Sequence, residues 1–139
     1  MNNAVPWNEP TEADEPIVSQ APPTDADYFS MAYSAIDNLL TVGFGSKQTA
    51  KETLVKIAKT QIDRLADEIV AAQTGKPLKI NGAMTTMITA VVTAALYNRV
   101  RAIALYDPDQ SVYVIVTNKD GFYPIGGLWL PDDIETTHA

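Results

Sequence analysis

The residues that could do chemistry are few and scattered. The stretch GFGSKQT, residues 43–49, sets two glycines ahead of Ser46, Lys47 and Thr49. Glycines before a helix start can leave backbone N–H groups open to an anion, so Ser46, Lys47 and Thr49 are weak anion-site candidates. The phosphate-loop pattern G-x-x-x-x-G-K-S/T is not met. Ser46 separates Gly45 from Lys47, and no strand is expected before the stretch. A loop running into a helix cap is the preferred reading.

Metal and acid–base chemistry fare no better. Asp107, Asp109 and Ser111 alternate like the first ligands of a calcium loop, but Val112 stands where glycine is needed and Asn118 where glutamate is needed. Asp132, Asp133 and Glu135 form a second acidic cluster, in a segment expected to fray. Cysteine is absent and His138 is the single histidine. Disulfides and cysteine-ligated metal are thereby excluded, and neither a histidine triad nor a multi-imidazole zinc site is expected. Asp37, Arg99 and Arg101 lie beside apolar stretches and could pair or mark a cleft. No acid–base pair, nucleophile–base arrangement or cofactor motif can be named around them. Catalytic, cofactor-binding and metal-binding residues are therefore all expected to be none.

Aromatic residues are the stronger signal. GFYPIGGLWLP, residues 121–131, carries Phe122, Tyr123, Leu128, Trp129 and Leu130, while Pro124, Gly126, Gly127 and Pro131 oppose regular structure. Large apolar side chains on an irregular rim suit a protein interface. The competing role is a strap that closes the core. Trp7, among prolines and acids, is a further interface candidate as a docking anchor.

Charge narrows the partner. The net charge is -7 over 139 residues. Glu9, Glu12, Asp14, Glu15, Asp25 and Asp27 precede the first lysine, the stretch 28–82 is slightly basic, and the remainder is acidic again. This balance argues against phosphate-backbone binding, so nucleic acid is not an expected partner. The opening residues have neither the basic start nor the apolar core of a signal peptide. A cytoplasmic location is the expectation.

The elements that would position these residues follow from periodicity. A first helix is predicted over Asp25–Leu40, from the stripe Tyr28, Ala32, Ala35, Ile36 and Leu39. A second is predicted over Lys47–Thr74, from Leu54, Ile57, Ala58, Ile62, Leu65, Ile69 and Ala72, ended by Gly75 and Pro77. A third is predicted to begin at an Asn81 cap and run to about Ala104. Its uncharged run, residues 80–98, is almost long enough to span a bilayer. Thr85, Thr86, Thr89 and Thr93 and the missing aromatic belts argue for burial instead, so a membrane is not an expected partner. Val112–Thr117, a turn at Asn118–Gly121 and the segment from Phe122 read as a hairpin. Residues 100–106 offer an alternative boundary, a strand that would complete a three-stranded meander.

The expected fold is α+β: a three-helix core with a small C-terminal antiparallel hairpin or three-stranded meander. Residues 1–23 read as a disordered acidic, proline-rich tail, 24–131 as one compact domain, and 132–139 as a flexible acidic end. The expected function is a non-catalytic protein-binding protein, a regulator or inhibitor of another macromolecule. The partner would be another protein. The alternatives are a structural subunit of a homo-oligomer and, ranked lower, a small enzyme or metabolite binder. Deleting residues 1–23 is expected to shift the melting temperature by less than about 5 °C, the equivalent of roughly 1 kcal/mol in a domain this size. A larger loss in a calorimetric scan would mean that the tail packs on the domain.

Overall fold

A computed structural model describes residues 22–129. The disordered-tail and flexible-end assignments, together with Trp7 and Leu130, fall wholly or largely outside these residues. Within them the chain forms a six-stranded mixed sheet in sequential order with two helices. A single 3-10 turn (Asp25–Asp27) leads into the hairpin β1 (Phe29–Ser34) and β2 (Leu39–Phe44). Then come α1 (Lys51–Ala71), β3 (Leu78–Gly82), α2 (Thr86–Leu96), β4 (Ala102–Asp107), β5 (Val112–Asn118) and β6 (Leu128–Trp129). β2, β3 and β4 are parallel neighbours, and β1, β5 and β6 join antiparallel at the two sides.

Two successive crossovers that step the same way across a sheet place both helices on one face, because each is right-handed. α1 and α2 accordingly pack against each other. Beneath them lie Phe29, Leu40, Val42, Leu78, Ile80 and Ile103 from the sheet, meeting Leu54, Ile57, Ile62 and Ile69 of α1 and Ile88, Val92 and Leu96 of α2. The opposite face carries a smaller cluster, Ala102, Ala104, Tyr113 and Ile115, with Leu39, Tyr106, Tyr123 and Trp129 packed against it.

Polar side chains pin the sheet's first edge. Gln61, buried in α1, donates to the Phe29 carbonyl at 2.7 Å. At the hairpin tip, Tyr33 donates to Asn38 Oδ1 at 2.8 Å, Gln73 donates to the same oxygen at 2.9 Å, and Asn38 donates to the Pro77 carbonyl at 3.0 Å. Asn38 sits at φ 50, a left-handed position that asparagine tolerates better than most residues. One side-chain cluster thus fixes β1, β2, the end of α1 and the entry to β3.

The α+β class stands, but the three-helix core does not. Residues 25–40 fold as a turn and hairpin. Their apolar stripe at helical spacing coexists with a period of two, Phe29, Met31 and Tyr33 inward and Ser30, Ala32 and Ser34 outward, and the sheet realises the second pattern. The second predicted helix exists, shortened to Lys51–Ala71. The third dissolves into β3, a loop, α2 and β4. Asn81 is a strand residue, and the cap is Thr85, whose hydroxyl accepts from the Ile88 amide at 3.2 Å. Residues from Ala102 take the alternative boundary and pair with β5. Among the described residues no helix is long and apolar enough to cross a membrane.

Gly82 ends β3 at φ 128, where an added Cβ would lie 1.8 Å from the Val42 carbonyl oxygen. Around Gly43 nothing comes within 4 Å of such an atom. Gly82→Ala is therefore expected to cost roughly 3 kcal/mol or more. Gly43→Ala should fall between neutral and about 1 kcal/mol stabilising. Denaturant unfolding of the two variants checks the contrast.

Candidate protein-interaction surface

β5 lies beyond the helix layer. Its residues alternate, with Tyr113 and Ile115 on the face opposite the helices, so Val112, Val114 and Val116 share the helix side. A register shift between Ile103 and Ala104 inserts Val116 into β5 as an extra residue. The bulge also turns Thr117 toward the helix side, where its hydroxyl accepts from the Ile103 amide at 3.1 Å. Leu128 pairs with Val114 and so belongs to the same face. Val112 is buried, Val114 half-buried, and Val116 and Leu128 are 37% and 52% exposed.

α2, which links β3 to β4, is the nearer of the two helices to this strip. A groove of about 460 Å³ between the helices, lined by Lys59, Asp63 and Ala66 of α1 and by Val91, Ala94 and Ala95 of α2, marks the α1 side of α2. At 100° per residue, the flank turned the other way carries Thr89 and Thr93, both half-buried. Thr89 donates its hydroxyl to the Thr85 carbonyl at 3.0 Å, leaving its methyl for apolar contact.

The loop from β5 to β6 adds Phe122 and Ile125, 63% and 60% exposed. Its conformation is held. Arg101 lies over the Phe122 ring at 4.1 Å and bonds Asp120 at 2.9 Å. The Phe122 amide donates to Asp120 at 3.0 Å, and Asn118 donates to the Tyr123 carbonyl at 2.8 Å. Gly126 and Gly127 bond the Ile115 backbone, and β6 follows.

The predicted interface residues therefore divide. Phe122 and Leu128 are exposed, whereas Tyr123 and Trp129 are half-buried, stacked edge to face at 5.5 Å over the second cluster. The terminal segment is a strap on one face and an open apolar rim on the other. Val114, Val116 and Ile125 were not among the predicted residues. The uninterrupted apolar run 112–116 signals a strand covered on both faces, and its uncovered side appears only with the helix count.

Ser46, Lys47 and Thr49 do come together, lining a cleft of about 480 Å³ with Tyr28, Phe44, Lys51, Leu54 and Thr85. α1 starts with Ala50 as its cap, without a side-chain hydrogen bond. The glycine ahead of it has a packing cause, since a Cβ at Gly45 would meet the Asp27 carbonyl oxygen at 2.2 Å. The Lys47 amide donates to that same Asp27 carbonyl at 2.9 Å. The charges near the third predicted helix are in ion pairs, Arg99 with Asp67 and Arg101 with Asp120. Asp37 closes a turn with Ser34. Asp107 and Asp109 form a turn whose Ser111 sits at φ 56. Among the described residues no acidic cluster has metal-holding geometry.

No protein-family model, curated protein or solved structure matches this chain.

The Asp120 carboxyl is held below its ordinary value, first by the Phe122 amide and then by Arg101. A lowered folded-state pKa contributes stability above the ordinary carboxylate range, lost as the pH falls through the lowered value. Arg101→Ala should move the Asp120 midpoint upward, with the Phe122 amide still keeping it low. Carboxyl NMR titration checks this, and an unchanged midpoint would remove Arg101 from the loop's support.

Proposed function

We propose that this protein is a non-catalytic protein-binding module, and that the surface it uses is the uncovered helix-side face of β5 and β6. The observation carrying the proposal is the row Val114, Val116 and Leu128 beside α2, with Phe122 and Ile125 exposed in the adjoining loop. Apolar side chains in a contiguous strip on a pre-ordered support are the usual form of a protein-docking site. β5 and β6 carry the sheet about 10 Å beyond β4, close to the breadth of one packed helix, so the fitting partner is an amphipathic helix whose apolar side lies on this floor. The threonine methyls of α2 would meet it from the side. The Arg101–Asp120 pair bounds the loop end and supplies the polar rim. A role in regulating the partner would follow from covering that helix.

Leu128→Asp and Val116→Asp should abolish partner binding, with melting temperatures close to the parent's, because both side chains already meet water. Trp129→Ala should instead cost about 2 kcal/mol of stability, since its ring packs on the opposite face. The experiment is parallel affinity capture from native extract with the parent and the two aspartate variants, followed by amide exchange on the recovered complex. Loss of the same captured protein from both variants, with new protection at Val114, Val116 and Leu128, is the expected result. Equal capture by all three proteins, or protection at the Ser46–Thr49 cleft instead, would overturn the proposal.

A further inference from the structure

The other side of the sheet ends in β1, and half of its backbone groups point away from β2. The Gly45 amide donates to the Tyr28 carbonyl, so in the β1–β2 ladder the groups of Ser30, Ala32 and Ser34 face β2. Those of Phe29, Met31 and Tyr33 face outward. Gln61 takes the Phe29 carbonyl. No other element of the described residues pairs with this edge. The strand is six residues long, regular in register and free of charge, proline and bulge. Charge, proline and bulge are devices that normally keep an edge single, and β1 carries none of the three; α1 covers it only from above and takes the one carbonyl at Phe29.

We infer that β1 is a self-association edge, and that its occupant is β1 of a second copy of this chain, running antiparallel about a two-fold axis at Ala32. That register sets Met31 opposite Tyr33 of the second copy, twice by symmetry. It forms four backbone hydrogen bonds from the outward groups without disturbing Gln61. Side-chain chemistry favours a copy of the same chain over another strand. Ile36, 98% exposed at the hairpin tip, comes level with Tyr28 of the second copy. α1 runs alongside β1 in the same direction, with Gln61 at Phe29 and Gln73 at Tyr33. Its exposed stripe on that flank includes Arg64 and Glu68, and Glu68 is close enough to bear on the Tyr33 hydroxyl. The two-fold axis turns the second α1 antiparallel, which brings Arg64 of each copy toward Glu68 of the other. An uncharged edge and a flank of opposite signs both complement themselves.

The test is mass by light scattering over a dilution series, using the full chain. The parent is expected to dimerise reversibly. Ile36→Asp and Ala32→Lys change only exposed positions, and each should weaken the dimer about tenfold or more. Arg64→Glu and Glu68→Arg should each weaken it severalfold, and the double reversal should restore it. Circular dichroism confirms that each variant is folded, and amide exchange should show Met31 and Tyr33 protected at high concentration only. A monomer at every concentration would overturn the inference. So would a dimer that ignores Ile36→Asp and both charge reversals, or one that Leu128→Asp dissociates, which would place the contact at the other end of the sheet.

Discussion

Two helices cannot cover six strands. Strands lie about 4.8 Å apart, so the sheet is roughly 24 Å wide from first to last, while a packed helix occupies about 10 Å. β2, β3 and β4 are sequential and parallel, which forces both crossovers onto one face. Helix coverage is then spent on β1 to β4, where Phe29, Leu40, Ile80 and Ile103 are sealed. β5 and β6 are left with an apolar side that no helix of the described residues covers. That mismatch between helix count and strand count is the physical origin of the exposed row Val114, Val116 and Leu128. The opposite face carries no helix among the described residues. It is closed where it is apolar by Tyr123 and Trp129, and it is polar or small elsewhere, with Ser30, Ala32, Thr41 and Lys79.

The terminal strap shows how strand parity lets one segment do two things. Leu128 and Trp129 are adjacent in β6 and must point to opposite faces. Trp129 and Tyr123 turn onto Ala102, Ala104 and Ile115, small or slender residues that make room for the rings. Leu128 turns away from that cluster. An exposed apolar rim and a core strap are therefore not competing descriptions of residues 121–129 but the two sides of one ribbon. The Arg101 guanidinium, held between the Phe122 ring and the Asp120 carboxylate, ties the loop to the start of β4. An ordered loop lowers the entropic cost of association.

Much of this was readable from residue spacing, and the failures have definite causes. α1 was legible because twenty-one residues repeat one apolar face with charges on the other. The first hairpin was not. Its apolar residues satisfy both a helical and an alternating period, and its turn, Ala35 to Asn38, lacks the glycine that would announce it. The run 80–98 concealed a strand and a short helix because no charge, proline or second glycine marks the boundary at Gly82. Gly82 itself carried the information, as a residue forced by its contact with the Val42 carbonyl, but that contact spans forty positions. The exposed residues Phe122 and Leu128 were legible from composition. Val114 and Val116 were not, because exposure of a buried-type strand depends on how many helices the rest of the chain supplies.

Edge and strip lie at opposite ends of one sheet, and this separation has a consequence for binding. β1 offers backbone groups in the plane of the sheet, whereas β5 and β6 offer side chains above it. Neither surface shares a residue with the other, so occupancy of one leaves the second open. A two-fold pairing at β1 would join two sheets into one of twelve strands and turn the uncovered strips outward at its far ends. Each strip would then lie about 24 Å from the axis by strand spacing alone. Such a dimer presents two equivalent helix-docking floors at a fixed span, and a partner carrying two suitable helices would gain from effective concentration without any new contact. Self-association and partner binding would thus reinforce each other through geometry.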